Sequence, residues 1–261
     1  MFSQVQVETT SRCNSDCLFC PHNEMPSYGT MEDSLYRKIV DDAAQYPLTH
    51  FIPMLTGEPF SDPDIIERLR YAREKLQPET KIRLHTNGSL MTMAEIDAMA
   101  ELPNIEIFVS INGATREMRH EMMGIDDFNA VVPKIDYLEK KGILHQTSMV
   151  WYPNIPLEHM NMMARFPRAC IFTFHNSCGL SYRYRRIRPT NCSRIHDILS
   201  VKVNGDVCLC CFDVLSKVVF GNVREKSLKE IWESELRVRY EEMHSKFMGE
   251  KMPLCGECTQ G

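Results

Sequence analysis

Eleven cysteines stand in a chain of 261 residues, and they are grouped rather than scattered. Cys13, Cys17 and Cys20 form a C-x3-C-x2-C motif. Cys170, Cys178, Cys192, Cys208, Cys210 and Cys211 follow far downstream, and Cys255 and Cys258 make a terminal C-x2-C pair. Thiolates grouped in this way suit zinc or iron–sulfur clusters. A disulfide framework is not expected. The N-terminus "MFSQVQVETT" lacks the layout of a signal peptide, and no apolar run is long enough to span a membrane. The chain is therefore expected in the reducing cytoplasm. Three thiolates on a four-iron cluster leave one iron without a protein ligand. A zinc site completed by His22 is the plainer alternative, but zinc ligands more often come as C-x2-C pairs.

The elements that must position these thiols follow a β/α rhythm. Strands are expected at residues 3–8, 50–55, 81–86, 105–111, 145–151 and 170–175. Helices are expected near 32–45, 62–76, 92–101, 128–141 and 156–165. Ser61 or Asp62 caps the second helix ahead of Pro63, and Thr92 with Glu95 forms a capping box. Six such units predict an α/β fold, a parallel sheet with helices outside, closed only in part or open. Chemistry then belongs beyond the C-terminal strand ends. After about residue 178 the text changes. "LSVKVNGDVCLCC" reads as a hairpin turning at Asn204-Gly205, and "SLKEIWESELRVRYEEMHSKF" as an amphipathic helix. The expected division is a core over 1–177 and a smaller unit over 178–261. A net charge of −5 gives no reason to expect nucleic acid or an anionic membrane as partner.

With Phe19 as the aromatic before Cys20, the first motif resembles the C-x3-C-x-Φ-C signature of radical S-adenosylmethionine (SAM) enzymes. The resemblance implies a partial (β/α)6 barrel. It also implies a [4Fe–4S] cluster on Cys13, Cys17 and Cys20, whose open iron is chelated by the amino and carboxylate groups of SAM. Reductive cleavage would then give a 5′-deoxyadenosyl radical that abstracts hydrogen from a C–H bond. "LTGEPF" at 55–60 resembles the family's Gly-Gly-Glu-Pro segment, with Thr56 in place of the first glycine. By that resemblance Gly57 lets the backbone approach the cosubstrate and Glu58 accepts from its ammonium. Asn87 and Ser110, at later strand ends, are expected at its ribose or carboxylate.

The order Cys192, Gly205-x4-Cys210, Cys255-x2-Cys258 resembles the SPASM/twitch extension of the same family. This implies one auxiliary [4Fe–4S] cluster with all four irons ligated, and Cys208 or Cys211 as the alternative to Cys210. A structural zinc at the same thiolates is the bland reading. Cys170 is expected in the core. Cys178 lies past the sixth strand and is a candidate hydrogen donor to a substrate radical, with His175 as a candidate base and Asn176 as a substrate contact. Arg183, Arg185, Arg186 and Arg188 would recognise a phosphate or carboxylate.

The implied function is oxidation or epimerisation of a small polar molecule, such as a sugar, aminocyclitol or nucleotide. Electrons would come from a reductant such as flavodoxin or ferredoxin. Peptide maturation is the rival activity, although no leader-binding domain is expected ahead of the first strand. A non-catalytic SAM-binding scaffold is the rival of another class.

Overall fold

The computed structural model describes residues 1–25, 29–151, 155–173, 175–180 and 192–259. Strands β1 (Gln4–Val7), β2 (His50–Ile52), β3 (Lys81–Thr86), β4 (Ile105–Ser110), β5 (Leu144–Val150) and β6 (Ala169–Phe172) lie side by side in chain order, all parallel. The connections carry α1 (Asp33–Ala43), α2 (Ile65–Lys75), α3 (Met93–Ala100), α4 (Arg116–Met123), α5 (Phe128–Lys140) and α6 (Pro156–Arg165). Alternation along each strand separates two faces. Val5, Val7, Phe51, Ile82, Leu84, Ile107 and Val109 pack into one core with helix residues such as Ile39, Leu69, Ile96 and Val131. The opposite, helix-free face carries Gln6, His50, Arg83, His85, Glu106 and Ser110.

The helix ends follow their local chemistry. The Thr92–Glu95 capping box forms, with Thr92 Oγ1 accepting from Glu95 N and Glu95 accepting from Thr92 N. Helix α2 begins later than expected, at Ile65, and neither Ser61 nor Asp62 caps it. Asp62 instead pairs with the buried Arg68 at 2.8 Å. Helix α4 has no counterpart in the sequence reading. Its signals were present, since Thr115 caps it and Gly124 ends it at φ 71°. Cys170 lies on strand β6 at the sheet edge and is half-exposed rather than buried in the core.

The C-terminal part extends the same sheet. The expected hairpin forms from β7 (Ile198–Val201) and β8 (Asp206–Cys208), with Gly205 at φ 94°, and β9 (Val219–Asn222) follows antiparallel to β8. Strand β7 also pairs in parallel with β1, from Gln4↔Ile198 to Val7↔Val201. This pairing covers the β1 edge and joins nine strands into one sheet. Helix α7 (Ser193–Asp197) precedes β7. The single amphipathic helix expected over 227–247 is two helices, α8 (Leu228–Trp232) and α9 (Glu235–Ser245). The break leaves Trp232 edge-on to Phe2 at 5.5 Å and under the Arg237 guanidinium at 3.4 Å. No helix among the described residues is long and apolar enough to cross a membrane.

A buried ion pair fastens β1 to the β7–β8 turn. Lys202 Nζ meets Glu8 Oε1 at 3.0 Å, Val203 N donates to Glu8 Oε2 at 3.0 Å, and Thr56 Oγ1 donates to Glu8 Oε1. Thr56, the departure from the family pattern, thereby ties the loop after β2 to the same carboxylate. Lys202→Met strands a buried carboxylate and should cost about 3–5 kcal/mol. The Tm of the cluster-loaded protein reports it. Adding Glu8→Gln should recover part of the loss, and a Lys202→Met protein as stable as wild type contradicts the strut.

Candidate active site

Among its described residues, the segment between β1 and α1 has little regular structure beyond a short 3-10 turn at His22–Glu24, and its neighbours impose its shape. Ser11 N donates to Gly29 O at 2.8 Å, and Glu58 N donates to Arg12 O at 2.9 Å. Asp16 N and Leu18 N donate to Met123 O and Met122 O, each at 3.0 Å. The His22 Nε2–H donates to Ser11 O at 2.9 Å, so this ring serves the loop's own fold. The loop presents Cys13 and Cys17 half-buried and Cys20 exposed, with the half-buried Phe19 between the last two. Burial, and then the nearby Cys20 and Cys13 sulfurs, push the Cys17 thiol up to about 12.

Gly57 serves this loop directly. A Cβ there would collide with the Thr10 carbonyl oxygen and stand 2.7 Å from that of Arg12. The glycine therefore admits the cluster loop's backbone, where the sequence suggested an approach to the cosubstrate. Glu58 is buried and spends its carboxylate inside the protein. Its Oε1 accepts from Thr86 Oγ1 at 2.5 Å and Phe60 N at 3.2 Å, and its Oε2 accepts from Asn87 N at 2.7 Å. Burial raises its pKa from the ordinary 4.5 to about 7, against the lowering effect of these bonds. Asn87 Nδ2 donates to Asn14 Oδ1 and Ser15 Oγ, both at 2.9 Å, so this side chain braces the loop. Ser110 Oγ accepts from Ser148 Oγ at 3.4 Å on the helix-free face.

Arg119, which the sequence did not single out, joins these pieces. It is 0% exposed. Its guanidinium holds Asp127 through two bonds of 2.6 and 3.0 Å and donates to the carbonyls of Asn87 at 2.9 Å and Ile111 at 3.0 Å. The charge acts on both Cys17 and Glu58, favouring their anionic forms.

The second thiol group gathers Cys178, Cys192, Cys210, Cys211, Cys255 and Cys258. Burial, then Cys210, Cys258 and Cys192, push the Cys255 thiol up. Burial and then Cys210 push Cys211 up to about 12, while Arg194 donates to its sulfur and opposes the rise. Cys192 N donates to His244 Nδ1 at 3.4 Å, which leaves the proton on Nε2, 3.4 Å from Cys255 Sγ. Cys208 stands apart. It is buried on β8 and donates to the carbonyls of Ser200 and Cys210.

Three expectations change here. Cys178, a candidate hydrogen donor from the sequence, is turned toward Cys210 and Cys258, within hydrogen-bonding reach of both sulfurs. Asn176 is buried, and both ends of its amide are engaged by the C-terminal chain. Its Nδ2 donates to Glu257 O at 2.6 Å, its N to Thr259 Oγ1 at 3.0 Å, and its Oδ1 accepts from Thr259 N at 3.1 Å. His175 lies tilted against Phe212, with ring centroids 4.1 Å apart, and burial, then Arg194, hold it near 4, which makes it a weak proton acceptor. Arg183, Arg185, Arg186 and Arg188 lie outside the described residues.

Residues 7–166 match the model of the radical SAM superfamily, and residues 192–259 match SPASM, an iron–sulfur cluster-binding domain. The chain belongs to the radical SAM superfamily. It is 24% identical to the S-adenosyl-L-methionine-dependent 2-deoxy-scyllo-inosamine dehydrogenase of Niallia circulans, over 99% of this chain and 93% of that protein. The crystal structure of BtrN in complex with AdoMet and 2-DOIA superposes with a TM-score of 0.75 at 19% identity, covering 100% of this chain and 94% of the other. Streptococcus suis SuiB bound to precursor peptide SuiA gives 0.75 at 14% identity, over 92% of this chain and 67% of the other.

The radical SAM and SPASM domains bring a SAM-binding [4Fe–4S] cluster and an auxiliary iron–sulfur cluster, and the residues present fit both. Each thiol group is all-sulfur, and burial and neighbouring sulfurs raise the pKa of Cys17 and Cys20 in the first and of Cys211 and Cys255 in the second. Iron binding relieves that repulsion by taking the place of the protons. Among the described residues, no three His, Cys, Asp or Glu side chains converge closely enough for a single metal ion.

Two outcomes follow. Gly57→Ala should displace the loop and lower bound iron by about half while leaving the auxiliary irons, as read by iron and sulfide analysis; full occupancy would contradict the steric role. Glu58 favours its neutral form in the fold. Its contribution to stability is present below its ordinary 4.5 and is lost as pH rises through about 7. Urea unfolding of the cluster-free protein should show a falling stability of at most about 1.4 kcal/mol per pH unit across that window. Glu58→Gln should remove that component, and an unchanged slope would contradict it.

Proposed function

We propose that the chain oxidises a small, polar, hydroxylated molecule of the aminocyclitol or sugar class. In this reading Cys13, Cys17 and Cys20 hold the first cluster, and Cys210, Cys255 and Cys258 with Cys192 hold the auxiliary one. When bound, the first cluster and SAM supply a hydrogen-abstracting adenosyl radical, and the auxiliary cluster supplies an acceptor for the substrate's second electron.

The observation that carries the reading is the placement of two thiol groups about one sheet. The first leaves the C-terminal end of β1. The other follows β8, which runs back antiparallel to β7 and so toward the N-terminal end of β1. Between them lies the helix-free face with Gln6, His85, Phe108, Ser110, Ser148 and Ser200. Hydroxyl, amide and imidazole groups there suit a ligand rich in hydroxyls. Arg83 and Lys81 neutralise Glu106 on the same face, at 3.2 and 2.6 Å. The Glu58 and Asn87 bonds fix the cluster loop against this wall, so that cosubstrate and substrate meet in one orientation. Phe19 lies beside Cys20, where it would cover the adenosine side of the cosubstrate.

The relative named as a dehydrogenase is spanned along almost its whole length, which supports small-molecule oxidation over peptide maturation. A one-electron protein donor such as flavodoxin or ferredoxin would reduce the first cluster.

The test is anaerobic reconstitution with reductant, SAM and 2-deoxy-scyllo-inosamine or related aminocyclitols. Expected are 5′-deoxyadenosine and a product lighter by two hydrogens, with Cys17→Ala reducing both to background. No 5′-deoxyadenosine from the fully loaded protein would favour the scaffold reading. A product of unchanged mass with an inverted centre would replace oxidation by epimerisation.

A further inference from the structure

A cubane offers four irons, each of which takes one thiolate, yet five thiols meet at the auxiliary site without counting Cys211. Cys210, Cys255 and Cys258 lie close together. Cys192 approaches from the start of α7, near Cys255 and Cys211. Cys178 approaches from the other side, 5% exposed, with its sulfur within reach of both Cys210 and Cys258.

The approach of Cys178 is built by the backbone. Ser177, Cys178 and Gly179 take φ values of 45°, 55° and 94° in succession. The first two are side-chain-bearing residues in a region that suits glycine. The Asn176 clasp on Glu257 and Thr259 holds this turn against the segment that bears Cys255 and Cys258. A Cβ on Gly179 would lie 2.5 Å from the Glu257 carboxylate, so the two segments are in contact. Cys178 is therefore fixed to the same piece of chain as Cys258. Cys192 is fixed independently, through its N–H on His244.

We propose that Cys178 and Cys192 share one corner of the auxiliary cluster, either thiolate completing the set begun by Cys210, Cys255 and Cys258. This rests on the auxiliary ligand reading above. The consequence is an iron that can exchange one cysteine for another without loss of the cluster. The proposal leaves Cys211, whose sulfur accepts from Arg194, outside the exchange.

The test uses the full chain with Cys13, Cys17 and Cys20 replaced by Ala, so that only auxiliary iron is counted. In that background Cys178→Ala, Cys192→Ala and Cys211→Ala should each retain about four irons per chain and the EPR signal of a reduced [4Fe–4S] cluster. Combining Cys178→Ala with Cys192→Ala should lose both. Loss of iron on changing either Cys178 or Cys192 alone overturns the sharing, as does retention in the double variant. Cys210→Ala separates the two readings: if it keeps its iron, the underlying ligand assignment fails as well. Alkylation mapped by mass spectrometry checks the site without relying on yield. In cluster-loaded Cys192→Ala, Cys178 should resist iodoacetamide and become reactive after chelation of the iron, and equal reactivity before and after contradicts the proposal.

Discussion

The cluster loop depends on hydrogen bonds that it does not make to itself. Between β1 and α1 the chain must hold three thiols in fixed relation, yet the described residues of this stretch contain little regular structure. Its peptide groups are met instead by Glu58 N after β2 and by the last turn of α4, and its Asn14 and Ser15 side chains by Asn87 after β3. Buried polar groups are costly when unpaired, so the loop has one well-satisfied shape and few alternatives. Gly57 makes the closest of these approaches sterically allowed. The parallel sheet matters because it brings successive strand ends to one place, where each contributes a single contact.

Electrostatics then favours metal over protons. Cys17, Cys211 and Cys255 are hard to ionise in the absence of iron, because burial and neighbouring sulfurs both push them up, whereas the Cys178 thiol donates to Cys210 and lowers it. Two arginines offset this. Arg119 stands behind the first loop, and Arg194 stands against Cys211 with its guanidinium 4.4 Å over Phe212. A fixed buried cation near a cluster stabilises added negative charge, and thus the reduced form. The Glu8–Lys202 pair couples the two regions mechanically, since it ties β1, which launches the first loop, to the turn that leads into β8. Its energetic value is specificity of register as much as stability, because a hydrophobic pair would fill the space without fixing the turn.

Much of this was legible in the residues. The cysteine spacings marked both thiol groups, and apolar, β-rich stretches located all six core strands to within a few residues. Turn chemistry placed the β7–β8 hairpin. What escaped were long-range partners that no local pattern encodes. The pairing of β7 with β1 joins residues nearly two hundred positions apart. Glu58 and Asn87 carried the right family signature, but only the fold shows that their side chains brace the loop. Asn176 and Cys178 looked free at a strand end until the C-terminal segment folded over them. Arg119 and His244 read as ordinary helix residues, and their burial beside sulfur is a tertiary fact. The break between α8 and α9 was hidden because the apolar period continues across Glu233 and Ser234.

The central claim is that the first cluster keeps one iron corner for SAM, because its loop supplies three thiolates. The most direct measurement is the EPR spectrum of the anaerobically reduced protein before and after SAM is added, restricted to the component missing from Cys17→Ala. The account predicts that this component shifts in g-values when SAM binds, while the auxiliary component does not. A first-cluster signal that ignores saturating SAM would mean that every corner is already capped, and the account would fail.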